Sequence, residues 1–93
     1  MKAYVVERRG MVEGNATVSE FDNLCIVSSV SKAEESIKVL CASEEIPDNA
    51  WVWYMVFEWD IDSFRHGCNQ LSAIFDDCGN RIKEQPLNGY DHL

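Results

Sequence analysis

Eleven residues, from Trp51 to Ile61, carry all three tryptophans of the chain and alternate with the period of a β-strand. Trp51, Trp53, Met55, Phe57, Trp59 and Ile61 project to one face, while Val52, Tyr54, Val56, Glu58 and Asp60 project to the other. The first set has no polar interruption and reads as the face turned to the core. The second is apolar for three positions before it becomes acidic, so it also needs cover. The rest of the chain holds one convincing helix. The second face, at Val52, Tyr54 and Val56, is therefore expected to be closed by the C-terminal tail, by a second copy of the chain or by a partner.

The helix announces itself by a change of period. Val30, Ala33, Ile37, Leu40 and Cys41 recur at helical spacing, and Glu34 and Lys38 form an i,i+4 pair on the outer side. Ser28, Ser29 and Ser31 can each cap its start, and Ser31 with Glu34 has the spacing of a capping box. Before the helix, residues 2–9 alternate as a first strand, ended by Arg8-Arg9-Gly10. A second strand lies within 16–27, bent near Asp22-Asn23, and Leu24-Cys25-Ile26-Val27 is its buried end. After the helix, 44–49 with Pro47 forms a return loop, and the length of the aromatic strand suits a central position. Residues 62–70 are polar. Leu71 to Phe75 and Arg81 to Lys83 flank Asp76-Asp77-Cys78-Gly79-Asn80, a hairpin turn in which Gly79 or Asn80 supplies positive φ.

These elements predict one α+β domain over residues 1–93, with 86–93 a tail: an antiparallel sheet of four to five strands with one helix on one face, in the order β-β-α-β-β-β. A chain of 93 residues can bury enough surface to fold without crosslinks when its core is aromatic. No apolar run approaches the roughly 18 positions of a membrane span. The opening Met1-Lys2-Ala3-Tyr4-Val5-Val6 leaves no space for a secretory leader, so a cytoplasmic location is expected. Cys25, Cys41, Cys68 and Cys78 are then expected as reduced thiols. Zinc needs paired ligands at short spacing, and His66-Gly67-Cys68 with Cys78 is a poor match. No metal or cofactor is predicted.

Parts of the chain resemble a family of small bacterial and phage proteins of uncharacterised function. The resemblance lies in the opening Met1-Lys2-Ala3-Tyr4-Val5-Val6, in the passage from strand to helix through Ile26-Val27-Ser28-Ser29-Val30-Ser31-Lys32-Ala33-Glu34-Glu35-Ser36-Ile37, and in the aromatic strand with acids at its end. It covers about two thirds of the chain, whereas the long insert before Leu24 and the hairpin from Leu71 onward depart from it. It implies a small α+β fold and brings no catalytic residues.

Sixteen acidic against eight basic residues give a formal charge of −8, which disfavours nucleic acid as a direct ligand and favours a basic protein. His66 and Cys68 lie in one loop rather than converging from separate elements, and no oxyanion or phosphate loop is visible, so catalysis is not expected. The expectation is a stoichiometric inhibitor that docks on a basic nucleic-acid-handling protein, as an anti-CRISPR or other phage anti-defence protein does, or an immunity protein on a toxin nuclease. Tyr54 and Trp59 are its expected anchors, with Glu58, Asp60, Asp62, Asp76 and Asp77 as an acidic rim. The alternative is a structural or housekeeping domain that dimerises through the outer face of strand 51–61.

Overall fold

The computed structural model describes residues 2–12, 20–46, 48–60 and 70–84. In chain order the elements are β1 (Lys2–Val12), β2 (Glu20–Val27), α1 (Val30–Ser43), β3 (Ala50–Asp60), β4 (Gln70–Phe75) and β5 (Arg81–Ile82). They form one five-stranded antiparallel sheet in the order β2-β1-β3-β4-β5, with the single described helix packed on it. This is the expected α+β arrangement, and the aromatic strand β3 is central as its length implied. Asp62, His66, Cys68 and the tail from residue 86 lie outside the described residues.

β1 is antiparallel to both β2 and β3, so those two strands run parallel to each other with β1 between them. A parallel connection cannot be a tight hairpin; α1 must cross over one face of the sheet and cover β1 on the way. Ser29 starts the helix, its Oγ accepting from the Lys32 amide at 3.1 Å. The cap is thus Ser29 rather than the Ser31–Glu34 box, because the helix begins one residue before Ser31 and places that serine inside its first turn. The i,i+4 pair is formed, with Lys38 Nζ 3.7 Å from Glu34. Ala33 and Ile37 are fully buried, and Val30 and Cys41 pack beside them, as the helical stripe predicted.

The helix does not lie on the tryptophan face. It covers the other one: Val6, Val52, Tyr54, Val56, Ala73 and Phe75 form one cluster with Ala33 and Ile37. Val52, Tyr54 and Val56, expected to await a tail, a second copy or a partner, are 6%, 0% and 0% exposed. The helix residues Ala33 and Ile37 meet a sheet face that mixes Val6, Val56 and Ala73 with the rings of Tyr54 and Phe75. Met11, Trp53, Met55 and Ile74 form a second buried cluster on the face turned away from the helix, with Phe57 and Ile82 packed against it. The tryptophan face thus holds a core of its own around Trp53 and Met55, and it is exposed at Trp51 and Trp59.

Two further departures are local. β1 continues past Arg9 to Val12, because Gly10 sits within the ladder, opposite Val52 on β3 and Glu20 on β2. The expected bend of β2 is a bulge: Val6 pairs with Cys25 and Glu7 with Asn23, which leaves Leu24 as the extra residue. The β4–β5 hairpin is present, and Gly79 supplies the positive φ at 82°. No described helix is long and apolar enough to cross a membrane.

Candidate protein-binding site

The residues expected to make one binding rim are distributed over three parts of the fold. Tyr54 is buried beneath α1, so its side chain is not at the surface of the chain. Glu58 and Asp60 lie at the C-terminal end of β3, where Glu58 is 2.6 Å from Lys2 Nζ. Trp59 projects to the opposite face and is 42% exposed. Asp76 and Asp77 are in the β4–β5 turn. Phe75 is level with Tyr54, which places Asp60 about 20 Å further along the sheet at ~3.3 Å per residue.

What the fold does bring together is the turn and the end of the helix. Tyr54 Oη donates to Glu44 Oε2 at 2.6 Å, and Arg8 forms an ion pair with the other oxygen of the same carboxylate. Glu44, immediately after α1, is thus fixed over the β3 residue that pairs with Phe75, and Asp76 follows Phe75. A Cβ built on Gly79 would stand 3.0 Å from Lys38 Cγ, so the turn lies against the second half of the helix. Glu44, Glu45, Asp76 and Asp77 consequently share one end of the molecule. The last turn of α1 holds no basic residue, so its negative dipole end adds to the same potential.

The thiols at this end register that potential. The Cys78 thiol is held above its ordinary range, first by the charge of Asp77 and then by a hydrogen bond to it. Burial pushes Cys41 up, and the carboxylates of Glu44 and Asp76 act in the same direction. The Tyr54 phenol is pushed far above its ordinary value by burial and by Glu44. Thiols kept protonated are poor nucleophiles and poor metal ligands.

Asp76 is itself a structural residue. Its Oδ1 accepts from the amides of Cys78 and Asn80, both at 2.9 Å, and its backbone closes the turn through Asn80 O at 2.9 Å and Gly79 N at 3.1 Å. Asp76, Asp77 and Cys78 offer ligand atoms within 4.8 Å of one another, the one such group among the described residues. That proximity follows from the turn, whose geometry already occupies Asp76 Oδ1. Asp77 and Glu45 are exposed, as is Asp48 in the loop that returns from the helix to β3.

Sequence reasoning placed Asp76 and Asp77 correctly on a turn, but its candidate site set them beside Glu58, Asp60 and Asp62 and left out Glu44 and Glu45. The signal available was weak: a helix ending without a basic residue, followed by two acids. The ion pairs of the described residues leave the net charge at −8, because each takes up one cation and one acid. Lys2, Arg8, Arg9 and Lys38 are each engaged by a carboxylate of the same chain, which takes up four of its eight cations.

A second surface lies on the face away from the helix. Ile26, Val5, Phe57 and Leu71 are in register across four strands and form an apolar row. Ile26 is 72% and Leu71 47% exposed. A groove of about 420 Å³ adjoins the row, lined by Glu7, Asn23 and Trp59 among others. Arg9 Nε donates to Glu7 Oε1 at 2.8 Å, and the guanidinium lies 5.6 Å from the centre of the Phe57 ring.

No family model matches this chain, and neither the curated proteins nor the solved structures yield a match.

Proposed function

We propose that this chain is a non-enzymatic binding protein that captures a basic partner through its acidic end, where the β4–β5 turn meets the end of α1. The observation that carries the reading is the convergence of Glu45, Asp76 and Asp77 beside the carboxylate of Glu44 at the negative pole of the helix. A chain of charge −8 attracts positive surface over long range; at this end Glu45, Asp76 and Asp77 carry the charge, since Glu44 is paired with Arg8. The partner class that fits is a nucleic-acid-handling protein, whose basic groove such an end would occupy in place of phosphate; blocking that groove is inhibition.

The test is capture with the purified protein and with an Asp77→Lys, Glu45→Lys double variant. A captured protein of basic character, bound less tightly as salt rises and released at least tenfold faster from the double variant, supports the reading; close charge pairs have coupling energies of this order. Capture that is indifferent to salt and to both substitutions removes the acidic end from the account.

A further inference from the structure

The bulge in β2 decides which side chains face Glu7. Val6 pairs with Cys25 but Glu7 pairs with Asn23, so Leu24 is the extra residue. In a regular ladder Glu7 would stand opposite Leu24; the slip puts Asn23, a side chain that both donates and accepts, across from it. Glu7 and Asn23 both line the groove of about 420 Å³ on the tryptophan face. The centre of that face is closed within the chain, where Met11, Trp53, Met55 and Ile74 are buried. The groove lies further along β3, towards Trp59, which is exposed together with Ile26.

Its lining joins two kinds of chemistry. Phe57 and Trp59 are two residues apart on β3 and share a face, so they stand ~6.7 Å from one another at ~3.3 Å per residue. That spacing admits one planar ring in contact with both aromatic side chains. Val5 and Ile26, in register with Phe57, make the apolar floor. On the polar side Arg9 Nε donates to Glu7 Oε1 at 2.8 Å, and its guanidinium stands 5.6 Å from the centre of the Phe57 ring, which holds acid and ring in a fixed relation. Glu7 Oε2 is left as an acceptor beside the Asn23 amide. A volume of this size, mostly apolar with a few polar groups on one side, is that of a small-molecule site.

Charge narrows the class of ligand. An anion is repelled by a chain of charge −8. An ammonium group meets a carboxylate that Arg9 already neutralises. A neutral molecule with an N–H donor matches what is left.

We infer that this groove binds a neutral planar heteroaromatic molecule, its ring stacked at Phe57 and Trp59 and its N–H donated to the Glu7 and Asn23 side. The site stands or falls independently of the partner-binding reading, which rests on the acidic end.

Indole and 1-methylindole, two probes that differ in the N–H donor, test it by titration of the full chain followed through its backbone amide resonances. Indole should give saturable shifts at Val5, Asn23, Ile26 and Phe57 at concentrations below about 1 mM. 1-Methylindole, the more apolar of the two, should bind about tenfold more weakly, because its methyl group leaves the acceptors unpaired. Trp59→Ala, at an exposed position, should weaken indole binding while amide shifts outside the groove stay as they are. Glu7→Ala should remove the preference for indole; if that variant does not fold, the comparison of the two probes decides alone. Shifts that do not saturate, shifts centred elsewhere, or equal binding of the two probes would overturn the assignment.

Discussion

Tyr54 and Glu44 are joined by a hydrogen bond of 2.6 Å that ties the middle of the central strand to the residue ending the helix. The same carboxylate holds Arg8 of β1, so three elements meet at one acidic group. A buried phenol that donates to a charged acceptor has a large desolvation cost when that acceptor is lost.

Tyr54→Phe removes the donor and leaves the ring in place. The expected loss is about 1.5–3 kcal/mol, the range for hydrogen bonds to charged groups, measured by urea unfolding. A loss near zero would show that water replaces the phenol and that the Arg8 pair alone positions Glu44.

Alkaline pH should unfold the wild-type protein more readily. Tyr54 in the folded chain holds its proton well above the ordinary value of 10.0, and Cys41 above 9.0. The unfolded chain therefore releases these protons first, and stability present below pH 9.0 falls as pH rises past 9.0 and then past 10.0. Tyr54→Phe should flatten the part of the decline above pH 10.0, read from urea midpoints across a pH series.

Ser29→Ala removes the side-chain acceptor for the Lys32 amide and should cost about 1 kcal/mol. Ser31→Ala, inside the first turn, should change stability by less than about 0.5 kcal/mol. The reverse ranking in thermal or chemical unfolding would assign the cap to Ser31.

Asp76→Ala leaves the amides of Cys78 and Asn80 without their shared acceptor, and should destabilise by about 1.5–3 kcal/mol. Asp76→Asn keeps an oxygen at that position and should recover part of the loss. Gly79→Ala should be costly for a different reason. Its φ of 82° is strained for a residue with a Cβ, and that Cβ would press on Lys38 at 3.0 Å. Loss of about 1 kcal/mol or more is expected.

The candidate site was legible only in pieces. Asp76 and Asp77 stand out in the sequence as turn residues, and Glu44 and Glu45 as the acids after a helix. Their meeting depends on Phe75 pairing with Tyr54, a contact between strands far apart in the chain. Glu58 and Asp60 looked equivalent to them by composition, yet strand length places them at the other end of the sheet, where Lys2 engages Glu58.

Local periodicity determined the elements. The alternation in 51–61 demands a strand, the stripe from Val30 to Cys41 demands a helix, and Gly79 between two apolar runs demands a tight turn, because each depends on neighbours within a few residues. Which face of β3 received the helix was decided by tertiary structure alone. Both faces are apolar at their centre, so hydrophobicity does not choose between them. The choice depends on packing across several strands: Val6, Tyr54, Val56, Ala73 and Phe75, from three different strands, together form the surface that Ala33 and Ile37 fill, and no local period specifies that combination.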